Sequence, residues 1–187
     1  MSIKVLDCTL RDGGYINDWR FGRKTICSIL DKLERAGIDI IECGFLTGMV
    51  KERESSLFDS VGAIRELLAK SQRIYMFVAM ISIVENELHP VLLEPCDGKS
   101  IEGIRLTFHK MEMEKAFEWA KIIMEKGYRV FMQPVGTVFY SDLELLKLVE
   151  KINRLNPYAF YIVDTLGSMY RNDVSHCFYL IDKNMNS

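Results

Sequence analysis

The sequence predicts an α/β fold on a parallel sheet, a (β/α)8 barrel carried through about six βα units. Short apolar, β-rich runs alternate with amphipathic stretches along all 187 residues. The runs are near-continuously apolar, as suits parallel strands buried on both faces. A doubly wound sheet fits the same rhythm. Its usual nucleotide signatures are missing, with no GxGxxG after the first run and no GxxxxGK[ST] anywhere, which tilts the choice to the barrel.

Six strands are expected, at Ile3–Cys8, Ile38–Phe45, Arg73–Met80, Gly103–Phe108, Tyr128–Pro134 and Ala159–Val163. Between them, Lys24–Ala36 brings Ile26, Ile29, Leu30 and Leu33 to one helical face and stops at Gly37. Ser55–Lys70 does the same with Leu57, Val61, Ile64, Leu67 and Leu68. Met111–Lys126 ends at Gly127, and Ser141–Asn156 opens with a capping box of Ser141 and Glu144 before Pro157 stops it. Ser82–Ser100, broken by His89-Pro90 and Pro95, reads as irregular, and Asn172–Lys183 as a last helix. Residues 1–187 form one partial domain with the seventh and eighth strands absent, since a complete barrel takes roughly 250 residues.

Composition narrows the function classes. A formal net charge of −2 without a basic cluster gives no reason to expect nucleic acid or a membrane surface as partner. No apolar run approaches the roughly 20 residues that span a bilayer, and the first residues lack the pattern of a secretory signal. Five cysteines, none in a CxxC pair, read as reduced thiols of a cytoplasmic protein. Lys51-Glu52-Arg53-Glu54 reads as a solvated loop.

Polar residues gather where the apolar runs end, which is where an α/β barrel keeps its chemistry. They are Asp7, Arg11 and Asp12 after the first run, Glu42 in the second, Arg105, Thr107 and His109 at the fourth, Gln133 at the fifth, and Asp164 and Thr165 at the sixth. A carboxylate in a buried strand is costly unless paired or metal-bound. Asp7, Asp12, Glu42 and Asp164 around Arg11 would satisfy one another and could leave a carboxylate for a cation. A purely structural salt-bridge ring at the barrel rim is the competing reading.

Asp7-Cys8-Thr9-Leu10-Arg11-Asp12-Gly13 closely resembles the D-x-T-L-R-D-G signature of the DRE-TIM metallolyase superfamily. Its catalytic domains are TIM barrels of the hydroxymethylglutaryl-CoA lyase and 4-hydroxy-2-oxovalerate aldolase type. Glu42 in Ile41-Glu42-Cys43-Gly44-Phe45 resembles the second-strand glutamate, and Asp164-Thr165-Leu166-Gly167 the sixth-strand D-[ST]-x-G. The three motifs reach over nearly the whole chain.

The resemblance implies a divalent-metal-dependent, aldolase-like carbon–carbon lyase that acts on a small 2-oxo acid through an enolate, with pyruvate as product. It makes Asp12 a ligand of Mg2+ or Mn2+, Arg11 the stabiliser of enolate charge, Glu42 the group that orients Arg11, and Asp7 a supporting carboxylate. Tyr15, Gln133, Asp164 and Thr165 would face the substrate. A hard cation taking oxygen ligands and a fixed guanidinium suit that chemistry.

The family's seventh-strand His-x-His is absent; His89, His109 and His176 are isolated and read as surface or packing residues. Tyr15 stands where the oxovalerate aldolases place a base histidine, and a phenol with an unperturbed pKa near 10 is a poor base. The expected site is therefore incomplete within these residues, and an open-edged half barrel is expected to self-associate. The alternatives are a condensing synthase of the isopropylmalate synthase type and a non-catalytic partial-barrel remnant.

Overall fold

All strand pairings among the described residues are parallel. The computed structural model describes residues 3–48, 54–71, 75–85 and 88–186. The strands are β1 (Leu6–Asp7), β2 (Ile40–Leu46), β3 (Leu57–Phe58), β4 (Met76–Ser82), β5 (Gly103–Phe108), β6 (Arg129–Pro134) and β7 (Ala159–Phe160). Their order in the sheet is β1-β2-β4-β5-β6-β7, with β3 attached to the end of β2. Sequential order follows when each right-handed βα crossover lays the next strand beside the last, and it excludes the doubly wound alternative, whose order reverses. The result is a curled half-barrel of six strands plus the β3 extension. Lys4 Nζ donates to Tyr158 Oη at 2.9 Å, linking the segments that lead into the two edge strands.

The helices are α1 (Thr9–Asp12), α2 (Gly14–Asn17), α3 (Arg23–Arg35), α4 (Val61–Leu67), α5 (Met113–Glu125), α6 (Asp142–Leu155) and α7 (Arg171–Asn184). Among the described residues no helix is long and apolar enough to cross a membrane. Strand residues alternate between two cores. Ile41, Phe77, Ile81, Ile104 and Met132 pack in the large cluster with helix residues such as Ile26, Ile64, Ile123 and Leu148. Ile40, Met76, Val78 and Phe131 form a second cluster on the concave face, with Leu6, Ala159 and Tyr161 against it. Each such side chain contributes about 1.5–3 kcal/mol on full burial.

Gly103–Phe108 is a strand as expected, and α6 carries the expected capping box, with Ser141 accepting from Glu144 N and Glu144 from Ser141 N. The edge strands are shorter than expected, two residues each, because each has a neighbour on one side only. The third expected strand begins at Met76 among the described residues; Arg73, like Lys51, Glu52 and Arg53, lies outside them.

The expected helix Ser55–Lys70 needs correction. Leu57 and Phe58 pair with Phe45 and Leu46 as a strand, and the helix starts only after Ser60, whose Oγ accepts from Ala63 N. A buried partner decided this: Ser56 Oγ donates to Leu10 O at 2.6 Å, which holds the segment extended. Thr9–Asn17, between the first expected strand and the first expected helix, forms the short helices α1 and α2.

Candidate functional site

Glu42 shares the concave face with Ile40, two residues before it, and β2 changes register just after it, between Glu42 and Phe45. Gly44 permits this with φ 142°, and a Cβ there would meet Ser56 O at 2.0 Å. Glu42 is fully buried. Its Oε2 accepts from Arg11 Nε and from Arg105 Nη1, both at 2.8 Å. Arg105 Nη2 donates to Gln133 Oε1 at 2.5 Å, and its guanidinium carbon lies 5.1 Å from the centre of the Tyr161 ring.

Arg11 also donates through Nη1 to Asp12 Oδ1 at 2.6 Å, while its Nη2 has no hydrogen-bond partner among the described residues. Burial opposes its charge, but Glu42 and then Asp12 more than offset that and hold the guanidinium protonated. Burial likewise pushes the Glu42 carboxyl up, and Arg105 and Arg11 pull it back. Both guanidinium donors meet on Oε2, and the net direction stays upward because Oε1 is buried without a partner among the described residues.

Above this layer opens a cavity of about 470 Å³, lined by Arg11, Asp12, Tyr15, Glu85, Thr107, His109, Gln133, Asp164 and Thr165 among others. It lies at the C-terminal ends of β4, β5 and β6, the functional end of such a sheet. A larger outer groove between α5 and α6, lined by Lys121, Lys151 and Arg154 among others, touches none of these residues.

The expected site residues are thus only partly united. Asp12, Gln133, Tyr15, Asp164 and Thr165 line one cavity with Arg11, and Glu42 lies beneath it. The picture of four carboxylates around one arginine is corrected in two respects. Asp7 accepts from Thr9 N and Thr9 Oγ1 at 2.9 Å, so it is spent locally on starting α1. Asp164 accepts from Ser168 N and Met169 N, and Thr165 Oγ1 from Gly136 N. The second cation in the cluster is Arg105, whose partner Glu42 is 63 residues away in sequence and so gave no local signal.

Tyr15 is exposed, and burial of part of its ring together with Glu85 raises its pKa, so the phenol keeps its proton at neutral pH. It can donate but not act as a base. His109, expected as a surface or packing residue, is exposed and lines the cavity. His89 packs edge-on against Trp119, and His176 meets Asp142 at 2.8 Å on the surface.

Among the described residues no three His, Cys, Asp or Glu side chains gather to hold a metal ion. Asp12 is one oxygen donor on the cavity wall, its Oδ2 accepting from the Cys8 thiol at 3.1 Å. Burial and this bond push that thiol up to about 11, in keeping with its role as donor to Asp12. Mg2+ commonly uses one or two carboxylates and retains water. Asp12 fits as one corner of such a site, and the described residues do not complete it.

No family model matches the chain. It is 23% identical over 180 residues to 4-hydroxy-2-oxovalerate aldolase from Geobacillus genomosp. 3, covering 92% of this chain and 51% of the relative. It is 21% identical to oxaloacetate decarboxylase of Mycobacterium tuberculosis, covering 90% and 50%, and 27% identical to 2-isopropylmalate synthase of Staphylococcus carnosus, covering 99% and 37%. The chain therefore spans about half the length, or less, of these curated relatives.

Among solved structures, the carboxyl transferase domain of Rhizobium etli pyruvate carboxylase superposes with a TM-score of 0.75 at 12% identity, covering 98% of this chain and 34% of that one. The N-terminal domain of an aldolase-type protein from Bacteroides vulgatus gives 0.72 at 22% identity, covering 98% and 62%. At these identities the structural likeness concerns the fold.

Proposed function

We propose that the DRE-TIM metallolyase-like domain formed by this chain supplies the enolate-stabilising half of an aldolase-like carbon–carbon lyase. The enzyme would act on a 2-oxo acid with a divalent metal and release pyruvate. The observation that carries this reading is Arg11: buried, held by Glu42 and Asp12, and presenting an uncommitted Nη2 at the cavity.

As the C4 hydroxyl gives up its proton and becomes the aldehyde carbonyl, the bond between C3 and C4 breaks, its electron pair passes to C3 and negative charge grows on the C2 oxygen; a proton returned to C3 then gives pyruvate. A guanidinium fixed in advance stabilises that charge without reorganising. Glu42 sets the plane of Arg11, and Arg105 holds Glu42 from the other side. Asp12 would hold Mg2+ or Mn2+, which supplies Lewis-acid polarisation of the 2-oxo carbonyl when bound. Tyr15, protonated, can donate a hydrogen bond to a substrate oxygen. His109 and Glu85 are the cavity groups suited to accept a proton.

The test is pyruvate release from 4-hydroxy-2-oxo acids with Mn2+, in a form extended by two βα units carrying His-x-His. Arg11→Ala should lower kcat by a few hundredfold with little change in KM, corresponding to about 3–4 kcal/mol. Arg11→Lys should restore little, because a point charge lacks the planar fork. A raised KM at unchanged kcat would remove Arg11 from the chemistry. Residues 1–187 alone should bind Mn2+ weakly, release no pyruvate and self-associate through the exposed edges. The isopropylmalate synthase similarity favours a second reading, condensation of an acyl-CoA with a 2-oxo acid. Release of free CoA from acetyl-CoA with a 2-oxo acid, without pyruvate formation, would select it.

A further inference from the structure

A smaller chamber of about 200 Å³ adjoins the main cavity, lined by Trp19, Phe45, Thr47, Leu57, Ser82 and Glu85. Phe45, Ser82 and Glu85 line both spaces, so the two meet along that boundary. The chamber is too small for a drug-sized ligand, whose sites run roughly 300–1,000 Å³, and suits a substituent.

Its aromatic wall is firmly built. Trp19 and Phe45 meet edge to face at 5.8 Å, and Trp19 Nε1 donates to Arg11 O at 2.8 Å. Gly14 leaves room for the indole, since a Cβ there would come within 2.0 Å of it. Asp18 and Trp19 both hold left-handed backbone, φ 54° and 60°, a conformation uncommon outside glycine. The Phe45 ring centre is 6.0 Å from the Arg11 guanidinium carbon, so a molecule gripped by Arg11 reaches the chamber within a few carbon–carbon bonds.

We propose that this chamber is a specificity subsite for an apolar, preferably aromatic, substituent of the 2-oxo acid. The proposal rests on the reading of Arg11 as the group that faces the 2-oxo acid. Trp19, Phe45 and Leu57 supply the apolar surface that such a group prefers to water. Glu85, exposed at the boundary, sets a negative charge beside the opening, and like charges repel a second carboxylate there. The substrate class is therefore monocarboxylic 2-oxo acids with a ring or branched alkyl group, in preference to dicarboxylic ones.

The experiment is calorimetric titration of the form extended by two βα units, with Mn2+ present, using pyruvate, phenylpyruvate and oxaloacetate as probes. Phenylpyruvate should bind at least about tenfold more tightly than pyruvate, and oxaloacetate more weakly than either. Leu57→Trp, which fills the chamber, should abolish the phenylpyruvate advantage and leave pyruvate unchanged. Leu57→Ala, which enlarges it, should keep the advantage and admits the test if the larger residue prevents folding. Equal affinities for pyruvate and phenylpyruvate in the unsubstituted chain would overturn the subsite. So would a phenylpyruvate advantage that survives Leu57→Trp in a folded protein. Tight phenylpyruvate binding that depends on Leu57 but not on Arg11, with no pyruvate binding, would support the chamber while removing the Arg11 reading.

Discussion

The first-strand and sixth-strand motifs contribute to one cavity but are built in opposite ways. Arg11 is 8% exposed and cross-linked through Glu42 to Arg105 and Gln133, side chains drawn from three other strands. Asp164 and Thr165 are exposed and bonded to nearby backbone N–H groups, Ser168 and Met169 for the one and Gly136 for the other. One side of the site is fixed by a buried charge network, the other by exposed side chains on hydrogen bonds to backbone, local for Asp164 and 29 residues away for Thr165. A preorganised charge needs the first kind of support, because buried groups relax little and water cannot screen them.

The largest effect should come from removing the charge at the centre of the rigid side. Glu42→Ala leaves Arg11 and Arg105 facing each other without their shared carboxylate, and breaking a buried pair costs about 3–5 kcal/mol. Urea unfolding should show that loss as a lower midpoint at similar slope. A change under about 1 kcal/mol would mean the arginines find solvent or other partners, and the contrast between the two sides would collapse.

Asp164→Ala should cost much less, about 1 kcal/mol or below, since its acceptors serve exposed N–H groups that water can satisfy. Its effect should fall on substrate binding more than on the unfolding midpoint. A loss as large as that of Glu42→Ala would show that the sixth-strand turn is a structural keystone.

The smallest effect concerns a surface carboxylate that is well bonded without being buried. Glu144 is pulled down to about 2 by its hydrogen bond to Lys110 and then by the N–H and hydroxyl of Ser141. Its folded-state pKa lies below the ordinary value of 4.5, so its contribution is present in full above about pH 4.5. That contribution fades as pH falls through about 2. Glu144→Gln should therefore lower stability at neutral pH and converge with the parent protein toward pH 2. Parallel curves over that whole range would dissociate Glu144 from the capping of α6.

Much of the fold was legible because parallel strands write themselves as continuous apolar runs. Gly103–Phe108 matches to the residue, and the Ser141–Glu144 capping box is local enough to be read from four letters. Leu57 and Phe58 misled because they sit at helical spacing from Val61 and Ile64, while the bond that holds them extended runs from Ser56 back to Leu10. The same distance effect hid the partner of Arg105, which stood out only as a polar residue at the end of its run. Its chemistry lies in pairing with Glu42 across β4, which no window of sequence contains. Asp7, conversely, looked like site chemistry because it heads the motif, yet its neighbour Thr9 occupies both of its oxygens.

The bond between Lys4 and Tyr158 couples the fates of the two ends of the sheet. Arg129 also lies over the Tyr158 ring, at 5.2 Å, so this tyrosine is clasped between cations from opposite margins. The β1 margin is thereby joined to the β7 margin by a direct contact that bypasses the four strands between them.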